Sequence, residues 1–192
     1  MTSPEHMTPA DFEARYRVDG DPWAYETSDY ERRKYDATLR ACGEGPFTDA
    51  LELGSSIGVL SARLASRCER LVTIDAAATA VAAADRRLAG VPQVELVLGE
   101  IPEAIPPGSY DLVVASEILY YLEPPVLRST LDRLREVTEP GTRVVAVHWR
   151  PAGAERPFTA AEVHARLHAQ PWLTSVVAQG TDDYLLDVLE RR

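Results

Sequence analysis

Apolar positions along the chain change period repeatedly, and each change marks an element. Asp49–Leu53, Arg70–Asp75 and Val94–Leu98 are short apolar runs of strand length. Tyr110–Ser116 (YDLVVAS) is almost continuously apolar, the pattern of a strand buried on both faces. Arg143–His148 is a fifth such run. Between them lie Ile57–Ser66, Ala77–Leu88 and Pro125–Thr138, the last with Val126, Leu127, Leu131, Leu134 and Val137 at helical spacing. This alternation predicts a parallel sheet with helices on both faces.

The rhythm breaks near the end of the chain. A helix is expected over about Ala160–Gln170, then strands over Leu173–Gln179 and Tyr184–Leu189, separated only by Gly180-Thr181-Asp182-Asp183. A parallel crossover needs a dozen residues or more, so these two strands form a hairpin and one of them runs antiparallel. Dinucleotide-binding sheets end instead on a parallel strand. Ahead of the sheet, residues 1–27 carry one short helix near 9–17 and a loop with Asp21-Pro22-Trp23. Ser28 or Asp29 caps a helix to about Cys42, and Gly43, Gly45 and Pro46 end it. The expected organisation is one domain over 1–192, with an N-terminal helical or lid segment (1–45) and a core (46–192).

Composition narrows the partners. With 30 acidic against 20 basic residues the net charge is −10, which argues against nucleic acid. Lys34 is the sole lysine among arginines. Cys42 and Cys68 are too few for a disulfide framework, which fits a cytoplasmic location. The N-terminus has no signal-peptide pattern and no stretch has membrane-span length. No ligand cluster of metal-binding spacing occurs. A monomer or homodimer is expected, with no membrane partner.

Candidate chemistry lies at strand ends. Glu52-Leu53-Gly54-Ser55-Ser56-Ile57-Gly58 sits where the first strand turns into the first core helix. Gly54 permits a tight turn and close ligand approach, and the helix start behind it offers free N–H groups. Ser56 and Val59 stand where a G-x-G-x-x-G pattern needs glycine, which counts against a nicotinamide dinucleotide. Asp75 ends the second strand, where an acid accepts from both ribose hydroxyls, caps the following helix, or does both. Glu100 follows the third strand, either accepting from an adenine amine with Ile101 covering the ring or standing as a solvated loop acid. Ser116-Glu117-Ile118-Leu119-Tyr120-Tyr121-Leu122 closes the fourth strand, where ligands bind in open α/β sheets.

These motifs resemble the NodS-like family, nodulation factor N-methyltransferases of class I. Asp21-Pro22-Trp23 with Ser28-Asp29-Tyr30-Glu31-Arg32-Arg33-Lys34-Tyr35 is similar to the family's N-terminal signature. The cofactor turn, the segment after the fourth strand, Val147-His148-Trp149-Arg150 and Asp183-Tyr184-Leu185-Leu186-Asp187-Val188 fit as well. The resemblance spans roughly Gly20 to the C-terminus. It implies a Rossmann-like, seven-stranded sheet of order 3-2-1-4-5-7-6 with strand 7 antiparallel. It implies S-adenosylmethionine as cofactor, S-adenosylhomocysteine as product, and N-methylation of a free amine on an amino sugar, which in nodulation is a chitooligosaccharide. Ser56 departs from the glycine of many class I enzymes, a change expected to be tolerated if its φ stays negative.

Within that frame Trp23, Arg33, Glu52, Gly54, Ser55, Gly58, Asp75, Glu100, Ile101 and Ser116 are expected to hold the cofactor. Glu52 is expected to orient the turn through a backbone contact. Trp23 closes over the pocket or anchors the N-terminal segment. Arg33 grips a carboxylate, and only one of Arg32, Arg33 and Lys34 faces inward, because successive helix residues point about 100° apart. Glu117, Tyr120 and His148 are the catalytic candidates: His148 a base or a hydrogen-bonded strand-end histidine, Glu117 a holder of ammonium or a helix-start acid. Arg150, Arg156 and His164 border the acceptor or, more simply, lie on the surface. The competing readings are an O-methyltransferase, a non-catalytic cofactor-binding module and a nicotinamide-dependent oxidoreductase.

Overall fold

The structure, a computed structural model, describes residues 6–151 and 153–192. Seven strands form one sheet: β1 (Phe47–Leu53), β2 (Cys68–Asp75), β3 (Val94–Leu98), β4 (Tyr110–Ser116), β5 (Thr138–Trp149), β6 (Leu173–Gly180) and β7 (Tyr184–Arg191). Their order is β3-β2-β1-β4-β5-β7-β6. The first five are parallel, and β7 runs antiparallel to both β5 and β6. The three-residue gap between β6 and β7 permits nothing else, and the sheet matches the sequence expectation.

Among the described residues six α-helices surround or cover the sheet: α1 (Pro9–Val18), α2 (Asp29–Cys42), α3 (Val59–Leu64), α4 (Ala78–Arg87), α5 (Pro124–Glu136) and α6 (Ala160–His168). The pleat of β4 sorts the two cores. Val113 and Ala115 face α5 and α6, where Leu127, Leu131, Val163 and Leu167 are buried. Leu112 and Val114 face α2 and α3, where Tyr35, Leu39, Leu60 and Leu64 are buried. Ser28 caps α2 by accepting from the Glu31 N–H.

Two elements depart from the sequence reading. The helix expected from Ile57 starts only at Val59, because Gly58 (φ +78°) still belongs to the turn, and its last residues tighten into a 3-10 turn, Ala65–Arg67. Strand β5 begins at Thr138, directly after α5, where a register shift between Tyr110 and Leu112 absorbs Pro140 and Gly141.

Candidate active site

At the end of β1 the Gly54 and Ser55 N–H groups both donate to the Ile74 carbonyl, at 2.8 and 2.9 Å. Gly54 has φ +79°, and a Cβ there would stand 3.3 Å from the Ile118 Cβ. Ser56 adopts φ +50°, so the expectation of negative φ fails. Its N–H donates to Asp75 Oδ2 at 2.8 Å, and its hydroxyl lies 2.6 Å from the Tyr16 hydroxyl. These two bonds hold serine in a conformation that ordinarily favours glycine.

Asp75 Oδ1 accepts from the Ala77 N–H at 2.9 Å, so the carboxylate ties the turn to the entry of α4. Ala77, not Asp75, is the N-cap residue. Burial raises the Asp75 carboxyl above its ordinary value, opposed by the backbone N–H groups around it. Glu52 makes side-chain contacts rather than the expected backbone contact. It accepts from Ser61 and from Thr73 (2.8 Å), fastening α3 and β2 beneath the turn. Burial pushes its carboxyl up to about 7. Gly58 serves packing: a Cβ there would stand 3.1 Å from the Ala84 Cβ on α4.

A pocket opens at the turn, lined by Gly54, Ser55, Ser56, Ser116 and Glu117 among others. The Ser55 hydroxyl is buried there without a hydrogen-bond partner. An unmet buried hydroxyl costs about 1–3 kcal/mol and suits a ligand bearing polar groups. The lining thus fits the polar amino-acid end of S-adenosylmethionine. Glu100 is exposed and Ile101 is buried, and neither is part of that lining.

Glu117 gathers contacts from three segments of the chain beside that pocket. Its backbone takes φ +59°. Its carboxylate accepts from Lys34 Nζ (2.7 Å), the Trp149 N–H (3.1 Å) and the Tyr120 hydroxyl. Lys34 Nζ also lies 3.0 Å from Glu31 Oε1. The lysine is only 1% exposed, so α2 turns Lys34 inward. Arg33 is exposed and lines a separate outer hollow with Asp36, Arg40 and Tyr184, while Arg32 pairs with Asp29. The 100° rotation between neighbours on a helix separates them. Burial alone would lower the Lys34 ammonium, but Glu117 and Glu31 outweigh it and hold it above its ordinary value. Burial raises Glu31, against the pull of Lys34.

His148 does not reach the pocket. It is 0% exposed, and both ring nitrogens are engaged, Nε2 by the Leu119 N–H (3.2 Å) and Nδ1 by His164 Nε2 (3.0 Å). Burial first, then His164, Lys34 and Arg156, hold it well below its ordinary value, so it stays neutral. Arg156 and His164 are buried rather than superficial. The Arg156 guanidinium stacks 4.4 Å from the Tyr120 ring centroid. Arg150 is exposed and donates to the Thr181 carbonyl, bracing the β6–β7 turn.

Aromatic side chains cover the turn. Tyr16 and Trp23 stand with ring centroids 5.5 Å apart, and Phe12 meets Tyr121 edge-on at 4.9 Å. Glu13 of α1 accepts from the Thr79 N–H (2.9 Å) at the uncapped start of α4, fixing this layer in place. Tyr16, Glu31 and Asp187 were missed by sequence reasoning. Their partners are 40, 3 and 23 positions away, and only the first turn of α2 offered a local signal.

A sheet of this order, a glycine turn after β1 and an acid ending β2 define a class I methyltransferase domain that takes S-adenosylmethionine as cofactor. The chain belongs to the NodS family: the family model described as nodulation protein S matches residues 11–150. Curated relatives include nodulation protein S of Sinorhizobium fredii, 29% identical over 65% of this chain and 59% of that protein. The match thus spans about three-fifths of that relative's length. The crystal structure of N-methyltransferase NodS from Bradyrhizobium japonicum WM9 in complex with S-adenosyl-L-homocysteine is similar, with TM-score 0.85 and 26% identity over 96% of this chain and 99% of that one. A putative methyltransferase from Pseudomonas syringae is 36% identical over 84% of this chain and 99% of that one, with TM-score 0.74.

Proposed function

We propose that this protein is an N-methyltransferase that moves the methyl group of S-adenosylmethionine onto the nitrogen of a small amine, an amino sugar foremost. The observation that carries this reading is the charge at the pocket edge. Glu31 and Glu117 face a single cation, Lys34, and Glu117 itself lines the pocket. Two carboxylates against one ammonium leave a net negative edge, which favours a cationic acceptor over a neutral hydroxyl.

Bound S-adenosylmethionine supplies an activated methyl group. Gly54, Ser55 and Asp75 would hold it, with Ser116 at the end of β4. The chain's remaining task is positioning and desolvation. Glu117 orients the acceptor nitrogen and receives the proton an ammonium must lose before it attacks. Lys34, Tyr120 and the Trp149 N–H keep that carboxylate in place. The aromatic layer of Tyr16, Trp23 and Tyr25 keeps bulk water from the pocket. Both His148 nitrogens are engaged, so it supplies no base for a hydroxyl acceptor, and a carboxylate such as Glu117 is a weak base for that task. The likeness to nodulation protein S supports a sugar amine as acceptor. Cys42 and Cys68 are both buried free thiols, which supports a reducing cytoplasmic setting.

A turnover screen of deacetylated amino sugars against hydroxylated sugars, followed by S-adenosylhomocysteine release, tests the reading. Turnover confined to the amines is the expected result. Turnover of hydroxyl acceptors alone overturns the N-methyl reading. Cofactor binding without turnover on either set leaves a binding module instead.

A further inference from the structure

We propose that a buried chain from His148 through His164 to Asp187 is a positioning device for the acceptor side of the site. It fixes the backbone at Leu119 and, through it, Glu117 and Tyr120. The proposal rests on reading the pocket edged by Glu117 as the methyl-transfer site.

The chain has one consistent direction. A backbone amide only donates, so the Leu119 N–H at 3.2 Å requires a bare lone pair on His148 Nε2. The His148 proton therefore sits on Nδ1 and is donated to His164 Nε2 at 3.0 Å. His164 then carries its own proton on Nδ1, donated to Asp187 Oδ2 at 2.7 Å. His168 donates to the same oxygen at 2.6 Å from the half-exposed end of α6. His148, His164 and Asp187 come from β5, α6 and β7, and none is more than 5% exposed. Three elements are thus pinned to one tautomeric state.

The far end of the chain is the acceptor side. Leu119 opens the 3-10 turn Leu119–Tyr121, two residues after Glu117. The His148 ring also packs edge-on against Tyr120, with centroids 4.9 Å apart, and the Tyr120 hydroxyl donates to Glu117. Burial pushes the Asp187 carboxyl up, but the hydrogen bonds from His164 and His168 outweigh it and hold it below its ordinary value. A carboxylate anchor, two neutral imidazoles and an amide donor form a series in which each proton position dictates the next.

The protein has four histidines, so ¹⁵N spectra of histidine-labelled protein at neutral pH are directly assignable through single His→Gln variants. The expected result is Nδ1–H on both His148 and His164. An Nε2–H tautomer at His148 overturns the proposal. His148→Gln keeps an acceptor for the Leu119 N–H, whereas His148→Leu removes it. His148→Leu should lower kcat by about 100-fold with the cofactor KM unchanged, the scale of a misplaced reacting group, and His148→Gln should recover most of it. Wild-type kcat in folded His148→Leu overturns the proposal. If the wild type methylates no acceptor, the methyl-transfer reading falls, and Leu119 amide exchange still decides the chain. Exchange should be slow in wild type and His148→Gln and fast in His148→Leu; slow exchange in His148→Leu overturns it.

Discussion

Lys34 Nζ stands 2.7 Å from Glu117 Oε1 across 83 residues of sequence, joining the first turns of α2 to the end of β4. It is the chain's only lysine, and it is buried. Lys34→Met should leave Glu31 and Glu117 close together without a counter-charge and cost about 3–5 kcal/mol, the penalty for breaking a buried pair from one side. Lys34→Arg should also fail to restore turnover, because a planar five-donor fork does not fit where a compact ammonium sits. Urea denaturation and turnover of both variants check this. Adding Glu31→Gln to Lys34→Met should recover part of the stability, which a double-mutant cycle measures.

The Glu52 carboxyl is raised from 4.5 to about 7 by burial. Between those values the folded state holds a proton that the unfolded chain has released. Stability from this group therefore falls as pH rises from about 4.5 to 7, by about 3 kcal/mol in all, since one pKa unit is about 1.4 kcal/mol. Glu52→Gln can still accept from Ser61 and Thr73 but carries no titrating proton. The variant should be more stable than wild type at pH 8 and lose most of that advantage by pH 4.5. Thermal melts of both proteins across that range give the difference directly.

Strand period, helical spacing and the short gap before the last strand are local signals, so the parallel β/α alternation and the terminal hairpin were legible before any coordinates, while the strand order came from the family resemblance. Gly54 and Asp75 were legible for the same reason, because they sit at strand ends that the pattern located. His148 stayed open between a base and a hydrogen-bonded strand-end histidine, because its burial depends on His164 and Asp187, which approach only when α6 and β7 fold onto β5. The choice of Lys34 over Arg33 depended on the rotation of α2, which the residue types alone do not fix.

Ser56 tests how a locally unfavourable residue is held. Ser56→Ala keeps the φ of +50° and loses the Tyr16 hydroxyl contact, so it should cost about 1 kcal/mol, the typical worth of one hydrogen bond. Ser56→Gly loses the same contact and relieves the backbone, which is worth about 1 kcal/mol, so it should be close to neutral. Ser56→Val should be the worst of the three, since a β-branched residue at positive φ is strongly strained. Denaturation midpoints rank them, and Ser56→Gly as costly as Ser56→Ala would show that the strain is absent.

Asp75 carries one backbone N–H on each carboxylate oxygen, from Ser56 and from Ala77, and each oxygen keeps a second lone pair. We propose that those lone pairs accept from the ribose hydroxyls of the cofactor. Asp75→Ala should weaken S-adenosylhomocysteine binding by roughly 10- to 100-fold, the range for hydrogen bonds to a charged group. It should also lower stability, because two amides lose their acceptor. The stability loss alone would weaken binding of any ligand, so a second arm is needed. Calorimetric titration with S-adenosylhomocysteine and with its 2′,3′-dideoxy analogue, on wild type and Asp75→Ala, closes a thermodynamic cycle. Direct contact predicts non-additive losses: the analogue should bind wild type poorly, and the mutation should cost it little more. Additive losses would assign Asp75 to holding the Ser56 turn and the start of α4, with no bond to the ribose.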